Sequence, residues 1–163
     1  MDKAKNIWII NDKDELILVD KNNMKVKTFL PYASSTGNTT DQLYDLGVLE
    51  DQLYLFYRSG LLICYNLKSH QEIYRQKLPD ELPKGKYENT SYVVPGNNTF
   101  YQLRNGNKGG VMLNYDITRK KWNIVFQTDY RLNSLSIDKD NSIWISCYMG
   151  LWNIDAGLTN KQY

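Results

Sequence analysis

Histidine, cysteine and proline are scarce in this sequence, and each shortage excludes a class of protein. The 163 residues include one histidine, two cysteines and four prolines. The single histidine, His70, follows Leu67-Lys68-Ser69 in a turn. Because one chain supplies only this one histidine, it cannot build a multi-histidine metal site, and a histidine-based triad is not expected. Walker-type, GxSxG, HExxH and CxxC patterns are also missing. We therefore expect no enzyme activity, no cofactor and no metal site, with His70 exposed to solvent.

The charges are balanced and the apolar runs are short. Twenty Lys and Arg residues accompany eighteen Asp and Glu residues, giving a net charge of +2 without a basic stripe of the kind that binds nucleic acid. No apolar run has the length needed to span a membrane, and the opening MDKAKNIWII does not resemble a signal peptide. We expect neither nucleic-acid binding nor membrane contact by this segment.

The sequence contains a repeat that is marked by aromatic residues. Trp8, Tyr54, Tyr101 and Trp144 each lie in a short apolar run, at successive spacings of 46, 47 and 43 residues. An Asp or Asn closes a second apolar run further along each repeat, at Asp20, Asn66, Asp116 and Asp155. The 13 Tyr, 4 Trp and 4 Phe residues also favour β structure. Strand-like runs with a period of 40 to 50 residues predict β-propeller blades and not a helical solenoid.

Alternating apolar residues and turn-forming breakers divide the chain into four strand groups. The predicted strands are Asn6–Ile10, Glu15–Val19 and Lys25–Leu30 in the first group, Leu43–Leu49, Gln52–Tyr57, Leu61–Tyr65 and Glu72–Leu78 in the second, Ser91–Val94, Thr99–Leu103, Val111–Tyr115 and Lys121–Phe126 in the third, and Asn133–Ile137, Ser142–Cys147 and Leu151–Asp155 in the fourth. The final GLTNKQY can begin an outer strand. Tight turns are expected at Glu50-Asp51 and Ser59-Gly60, a connecting segment at Pro95-Gly96-Asn97-Asn98, and an enlarged loop over Arg104 to Gly110.

These groups predict an all-β fold of four-stranded antiparallel meanders. About three and a half repeats, roughly residues 1–31, 42–79, 90–127 and 132–163, make a single propeller segment over residues 1–163. Because propellers usually have 4 to 8 blades, we expect a segment of a larger, for example seven-bladed, propeller, or a ring completed by a second copy. A helix over Thr40 to Leu49 is the alternative, but Gly47 and the alternation that resumes at Leu53 weigh against it.

The repeated residues are interpreted as structural. Each blade packs its face on the next blade, so a large aromatic side chain at an equivalent point of every repeat can hold neighbouring blades together. The Asp or Asn that closes each third strand is expected to accept backbone hydrogen bonds and begin a turn. Cys64 and Cys147 lie in repeats that are not adjacent, so we expect buried thiols and no disulfide.

The fourth repeat resembles a known family. Its Asp140-Asn141-Ser142-Ile143-Trp144-Ile145-Ser146-Cys147-Tyr148-Met149-Gly150-Leu151 stretch is similar to the two-component regulator propeller repeat, which has a turn, an I-W-I-G-T strand and a G-L turn. The first repeat keeps Ile7-Trp8-Ile9, and the second keeps Leu53-Tyr54-Leu55. Ser146-Cys147 replaces the usual glycine-threonine, and the third repeat departs most in its predicted loop.

The resemblance implies a sensory role. Similar proteins are periplasmic sensor regions of hybrid two-component histidine kinases, anchored in the inner membrane, that respond to oligosaccharides. It therefore implies a periplasmic location, a ligand-sensing function and an oligosaccharide ligand, with the kinase elsewhere in the parent protein.

Binding residues are expected in the loops along one rim of the blades, where rigid strands hold variable side chains. Tyrosine rings stack on sugar C–H surfaces, and arginine guanidinium groups grip hydroxyls or carboxylates. The candidate ligand-binding residues are Tyr32, Arg58, Tyr87, Arg104, Tyr130, Arg131 and Tyr148. The competing interpretation is a structural or protein-interaction propeller that self-associates through exposed blade edges or through a dimer of the parent protein. A propeller enzyme would require a carboxylate or histidine cluster at the hub.

Overall fold

The described part of the chain is built from β-strands alone. The computed structural model describes residues 6–11, 15–29, 41, 43–79, 93–96, 98–107, 109–155 and 160–162. The chain forms two compact units, Met1–Leu78 and Pro79–Tyr163. Each unit contains two antiparallel sheets with strands in sequence order. The predicted all-β class with blade-like meanders is confirmed. Within the described residues, no helix has the length and apolar character needed to cross a membrane.

The first unit contains a three-stranded sheet and a four-stranded sheet. The first sheet consists of β1 (Ile7–Ile10), β2 (Leu16–Val19) and β3 (Val26–Phe29). The second sheet consists of β4 (Leu43–Leu49), β5 (Gln52–Tyr57), β6 (Leu61–Asn66) and β7 (Glu72–Lys77). Strand β4 occupies the segment for which a helix was the alternative, so the alternation there outweighed the helical pattern.

The second unit contains two four-stranded sheets. The third sheet consists of β8 (Val93–Gly96), β9 (Thr99–Gly106), β10 (Gly109–Asp116) and β11 (Lys121–Thr128). The fourth sheet consists of β12 (Leu132–Ile137), β13 (Ile143–Cys147), β14 (Gly150–Ile154) and β15 (Asn160–Gln162). Strand β15 is the outer strand that the last residues were expected to begin.

The first unit is held together by an apolar cluster between its two sheets. Leu16 of β2 meets Leu53, Leu55 and Tyr57, which alternate along one face of β5. Leu43, Leu61 and Ile63 complete the buried set. Because adjacent residues of a strand point to opposite faces, Tyr54 and Phe56 lie on the other face of the second sheet, where they are also buried. The second sheet is therefore apolar on both faces.

The second unit repeats this arrangement with different side chains. Leu103 of β9 and Met112 of β10 pack with residues of the fourth sheet. Those residues are Leu132, Leu135, Ile143, Ile145, Cys147 and Ile154. The Phe126 and Trp152 rings extend the contact with centroids 5.0 Å apart. Cys147 belongs to this core and Cys64 is buried in the second sheet, so both thiols are buried as predicted.

The repeated aromatic residues occupy equivalent places in the sheets. Trp8 packs on the cluster that joins the first and second sheets, and Tyr101 packs on the cluster that joins the third and fourth. Partial burial raises the pKa of the Tyr101 hydroxyl. The predicted role in holding one sheet to the next is therefore confirmed for these two residues. Tyr54 and Trp144 lie on the sheet faces turned away from the two clusters, and Tyr54 is fully buried.

Three of the four polar residues that close the second apolar run of each repeat accept backbone hydrogen bonds in turns, as expected. The Asp20 carboxylate accepts a hydrogen bond from the Asn22 N–H at 2.8 Å. The Asn66 side-chain oxygen accepts hydrogen bonds from Lys68 and Ser69 at 2.8 and 2.9 Å. In the third sheet, the Asp116 carboxylate accepts a hydrogen bond from the Arg119 N–H at 2.8 Å. His70 lies in the Asn66 turn and is exposed, as predicted.

The third sheet differs from its predicted boundaries at Pro95-Gly96. The sequence pattern placed both residues in a turn, but Pro95 pairs with Phe100 and Gly96 pairs with Thr99 at the end of β8. The strand can contain Pro95 because β8 lies at the edge of the sheet, where the missing backbone N–H costs no ladder hydrogen bond.

We predict that Leu103→Ala lowers the free energy of unfolding by about 2–5 kcal/mol, because it removes a fully buried side chain from the second-unit core. Denaturant unfolding followed by tryptophan fluorescence measures the change. The matched control is Ile124→Ala on β11, where the side chain is 45% exposed and the cost should stay below about 1 kcal/mol. Equal losses in the two variants would contradict this description of the core.

Candidate functional site

The candidate site is at the end of the second unit where β9 turns into β10. The predicted loop over Arg104 to Gly110 is wrong, because β9 continues to Gly106 and β10 begins at Gly109, with these two glycines paired. The polar residues of this stretch suggested a loop, yet Arg104 and Asn105 are each only 2% exposed. Both side chains therefore lie inside the fold and not in an exposed loop.

Asn105 joins the third sheet to the start of the fourth. Its side-chain amide donates a hydrogen bond to the Leu132 carbonyl oxygen at 2.8 Å, and its side-chain oxygen accepts one from the Leu132 N–H at 2.7 Å. The N–H and the oxygen of the Asn105 side chain therefore both form hydrogen bonds with the backbone of one residue, which lies 27 positions later in the chain. A buried, doubly hydrogen-bonded amide fixes the position of that backbone, because breaking it leaves polar groups without water.

Two glycines beneath this clamp allow the chain to pass closely. A Cβ atom at Gly110 would lie 2.6 Å from both the Asn105 side-chain oxygen and the Leu132 Cγ. At Gly109, where φ is +112°, a Cβ atom would lie 2.1 Å from the Thr128 carbonyl oxygen. Only glycine has no Cβ and tolerates this φ value. The pair therefore supports the segment from Thr128 to Leu132.

The supported segment presents exposed side chains beside a second turn. Tyr130 and Arg131 precede Leu132, and the pairing of Leu132 with Cys147 brings Arg131 to the same sheet end as Tyr148 and Met149. All four side chains are exposed, with Tyr148 at 91%. We call Tyr130, Arg131, Tyr148 and Met149 the second-unit rim. It brings together three of the seven residues that the sequence nominated.

The second-unit rim combines aromatic surface with a permanent positive charge. Exposed tyrosine rings provide flat faces and hydroxyl groups, and a guanidinium group provides up to five directed N–H donors. Asp129, also exposed, adds a carboxylate that can accept hydrogen bonds from hydroxyl groups. Such a surface is chemically suited to a polyhydroxylated ligand, because it offers stacking, donors and acceptors together.

The other nominated residues lie elsewhere. Arg58 is exposed in the β5–β6 turn of the first unit, where the neighbouring Ser59 N–H donates a hydrogen bond to the Asp41 carboxylate at 3.0 Å. Arg104 lies in β9, opposite Val111, with its side chain buried. Tyr32 and Tyr87 lie outside the described residues. Sequence reasoning missed Asn105 and the glycine pair, although the alternation of Tyr101, Leu103 and Asn105 already places all three on one strand face.

The Asp138 and Asp140 carboxylates, which lie two residues apart, both accept hydrogen bonds in a turn. The Asp138 carboxylate accepts a hydrogen bond from the Lys139 N–H at 2.6 Å, and the Asp140 carboxylate accepts one from the Ser142 N–H at 2.9 Å. Hydrogen bonds from the backbone and hydroxyl of Ser142 hold the pKa of the Asp140 carboxyl below its usual value. Across the ranges that the structure describes, no group of three or more His, Cys, Asp or Glu side chains could hold a metal ion.

We predict that Asn105→Ala lowers the free energy of unfolding by about 2–4 kcal/mol, because the Leu132 N–H and carbonyl lose buried partners. Thermal and denaturant unfolding measure the change. Asn123→Ala is the matched control, since its amide makes an exposed 2.9 Å hydrogen bond to Asn114 and its removal should cost less than about 0.5 kcal/mol. A loss as small as that of the control would show that the clamp does not hold the segment.

A second prediction concerns pH. Because the folded-state pKa of Asp140 is lowered, its stabilising effect is present above the unfolded pKa of about 3.9 and is lost as the pH falls through the folded value. The melting temperature of Asp140→Asn should therefore lie below that of the original chain at neutral pH. The difference should shrink as the pH falls below about 4. A difference that stays constant across this range would assign the effect to another group.

No protein-family model matches this sequence, and no curated protein matches it. Solved structures do resemble it. The Swd1 β-propeller domain from Myceliophteria thermophila is 11% identical with a TM-score of 0.67, over 93% of this chain and 54% of that one. The extracellular domain of a putative one-component system from B. thetaiotaomicron is 14% identical with a TM-score of 0.68, over 99% of this chain and 21% of that one.

A chain in a crystal structure of the mitotic checkpoint complex is 9% identical with a TM-score of 0.68, over 97% of this chain and 46% of that one. At such identities the likeness concerns the fold alone. It agrees with the strand order of the four sheets and supports a β-propeller-like architecture. This chain spans roughly half, or less, of the length of these proteins.

Proposed function

We propose that this chain is an extracytoplasmic, ligand-sensing propeller segment of a signal-transduction receptor, and that the second-unit rim binds an oligosaccharide. The observation that carries the proposal is the exposure of Tyr130 and Arg131 on the segment held by the Asn105 clamp, at the same sheet end as the exposed Tyr148. Exposed aromatic residues cost solvation free energy when nothing covers them. Their grouping beside an arginine favours a binding surface.

The rigidity of the segment matters as much as its chemistry. Sugars bind weakly through many small contacts, so affinity depends on holding the contacting groups in place before the ligand arrives. Asn105, Gly109 and Gly110 hold Thr128 to Leu132 through buried hydrogen bonds and close packing. The ligand would therefore order the exposed side chains, with little cost for ordering the backbone.

The sensory role also has support from likeness. The fourth repeat is similar to the two-component regulator propeller repeat, and one structural neighbour is the extracellular domain of a putative one-component system. By that analogy the segment is periplasmic, belongs to a receptor anchored in the inner membrane, and passes its signal to an effector such as a histidine kinase elsewhere in the parent protein. The segment itself would bind and transmit, without catalysis.

A second candidate function is a protein-interaction propeller that scaffolds or dimerises without a small ligand. The exposed Ile7 and Ile9 on the edge strand β1 favour it, because unpaired strands and apolar surface both promote association. The two candidate functions can be distinguished at the second-unit rim, because only the sensing function requires this rim to bind sugars.

We predict that Arg131→Ala and Tyr148→Ala each weaken oligosaccharide binding by about tenfold or more, since each removes about 1.4 kcal/mol or more of contact. Isothermal titration calorimetry against a panel of neutral and acidic oligosaccharides measures the affinities. The matched control is Arg119→Ala, which removes an 81% exposed arginine from the turn at the opposite end of the third sheet. This control should bind like the original chain.

Two results would contradict the proposal. One is an oligosaccharide that binds the original chain and both rim variants with the same affinity, because its site would then lie elsewhere. The other is the absence of binding to every member of the panel, which would favour the interaction function. Circular dichroism spectra that match the original chain establish that the variants remain folded.

A further inference from the structure

The Asn105 clamp contains a residue pair that is prone to a spontaneous covalent change. Asn105 is followed by Gly106, and this is the only Asn-Gly pair among the 163 residues. In such a pair the backbone nitrogen of the glycine can attack the side-chain carbonyl carbon of the asparagine, because glycine has no Cβ atom to obstruct the approach. Asparagine is one of the thermolabile residue types of proteins. Asn105 is therefore the asparagine of this chain that the sequence makes most susceptible to deamidation.

Deamidation proceeds in two steps and needs no reactant other than water. The Gly106 nitrogen forms a bond to the Asn105 Cγ atom, and the side-chain NH2 group leaves as ammonia with the proton that the Gly106 nitrogen gives up. The product is a five-membered succinimide ring. Water then adds to either carbonyl carbon of the ring and opens it, which gives aspartate or isoaspartate. Both products have lost the NH2 donor of the asparagine and gained a carboxylate, and isoaspartate also lengthens the main chain by one carbon atom.

The folded structure restrains this reaction. The Leu132 backbone holds both ends of the Asn105 amide, through hydrogen bonds of 2.8 and 2.7 Å. Turning the Cγ atom towards the Gly106 nitrogen breaks both of these hydrogen bonds. Asn105 is also only 2% exposed, so the water needed for the second step is kept away. The reaction must therefore pass through a locally open state in which Leu132 has left the clamp.

We infer that Asn105 is a deamidation site that the clamp protects, and that its modification permanently releases the segment from Thr128 to Leu132. A carboxylate cannot donate the hydrogen bond that the amide gives to the Leu132 carbonyl oxygen. It would also place a negative charge where the side chain is 2% exposed, and burying an unpaired charge is strongly unfavourable. Tyr130 and Arg131 would then lose their fixed backbone. This consequence does not depend on whether the second-unit rim binds a sugar.

Incubation at mildly alkaline pH, followed by peptide mass spectrometry, measures the reaction at each asparagine. In the chain unfolded by guanidinium chloride, Asn105 should react before any other asparagine. In the folded chain its reaction should be about 10- to 1,000-fold slower, because minor open states are typically populated at about 0.1–10%. Asn141 is the internal control, since it is exposed in the turn before β13 and is followed by the small residue Ser142. Folding should slow the reaction of Asn141 much less.

Two substitutions test the clamp itself. Gly110→Ala places a Cβ atom 2.6 Å from the Asn105 side-chain oxygen, so it should raise the folded-state rate at Asn105 by about tenfold or more, which corresponds to about 1.4 kcal/mol of opening free energy. Asn105→Asp reproduces one product directly and serves even where Gly110→Ala does not fold. Hydrogen exchange of the Leu132 N–H should be about tenfold faster or more in this variant. Asn123→Asp, at an exposed hydrogen bond on β11, is the matched control and should leave that exchange unchanged.

Three outcomes would overturn the inference. Reaction of Asn141 before Asn105 in the unfolded chain would show that Asn105 is not the reactive asparagine. Equal slowing of both residues by folding would show that the clamp gives Asn105 no particular protection. Unchanged hydrogen exchange of the Leu132 N–H in Asn105→Asp would show that the segment stays in place after the modification.

Discussion

Burial of one sheet face against the next is the constraint on which this structure depends. A β-sheet that is apolar on one face must bury that face against another layer of structure. Leu16 needs Leu53 and Leu55 of the following sheet, and Leu103 likewise needs Leu135 and Ile145. This explains why apolar residues alternate along the strands and why a large aromatic residue recurs with the blade period. The packing also leaves the turns free to vary, since they contribute little to either cluster.

The candidate site is built around one such turn, the turn between β9 and β10. A polar clamp, with the Asn105 amide on the Leu132 backbone, holds a surface segment as firmly as an apolar contact would, because its hydrogen bonds are protected from water. Gly109 and Gly110 make the close approach possible. Tyr130 and Arg131 can then remain exposed while the backbone that carries them is held in place. A rigid support with exposed aromatic and charged side chains is what recognition of a weakly binding ligand requires.

The same packing rule connects ligand binding to signalling. A surface that binds a ligand can signal only if the ligand changes how that surface or its neighbours pack. In this chain the second-unit rim lies just before β12 and in the turn between β13 and β14. Residues of these strands, among them Leu132, Leu135 and Ile145, form the core with the third sheet. A ligand that shifts the strands would therefore alter how the two sheets pack.

The sequence by itself determined the strands, their grouping and the role of the aromatic repeat. These follow from local alternation and from residues such as Trp8 and Tyr101, whose burial any sheet packing would require. It also identified Tyr130, Arg131 and Tyr148 as surface residues with binding chemistry. Only the tertiary structure decided that Arg104 is buried, that Asn105 holds Leu132 and that Pro95 belongs to an edge strand. Each of these depends on a neighbour distant in sequence. The free-energy cost of burying a polar group depends on whether a hydrogen-bond partner is present. The local sequence pattern does not show a partner that is distant in sequence.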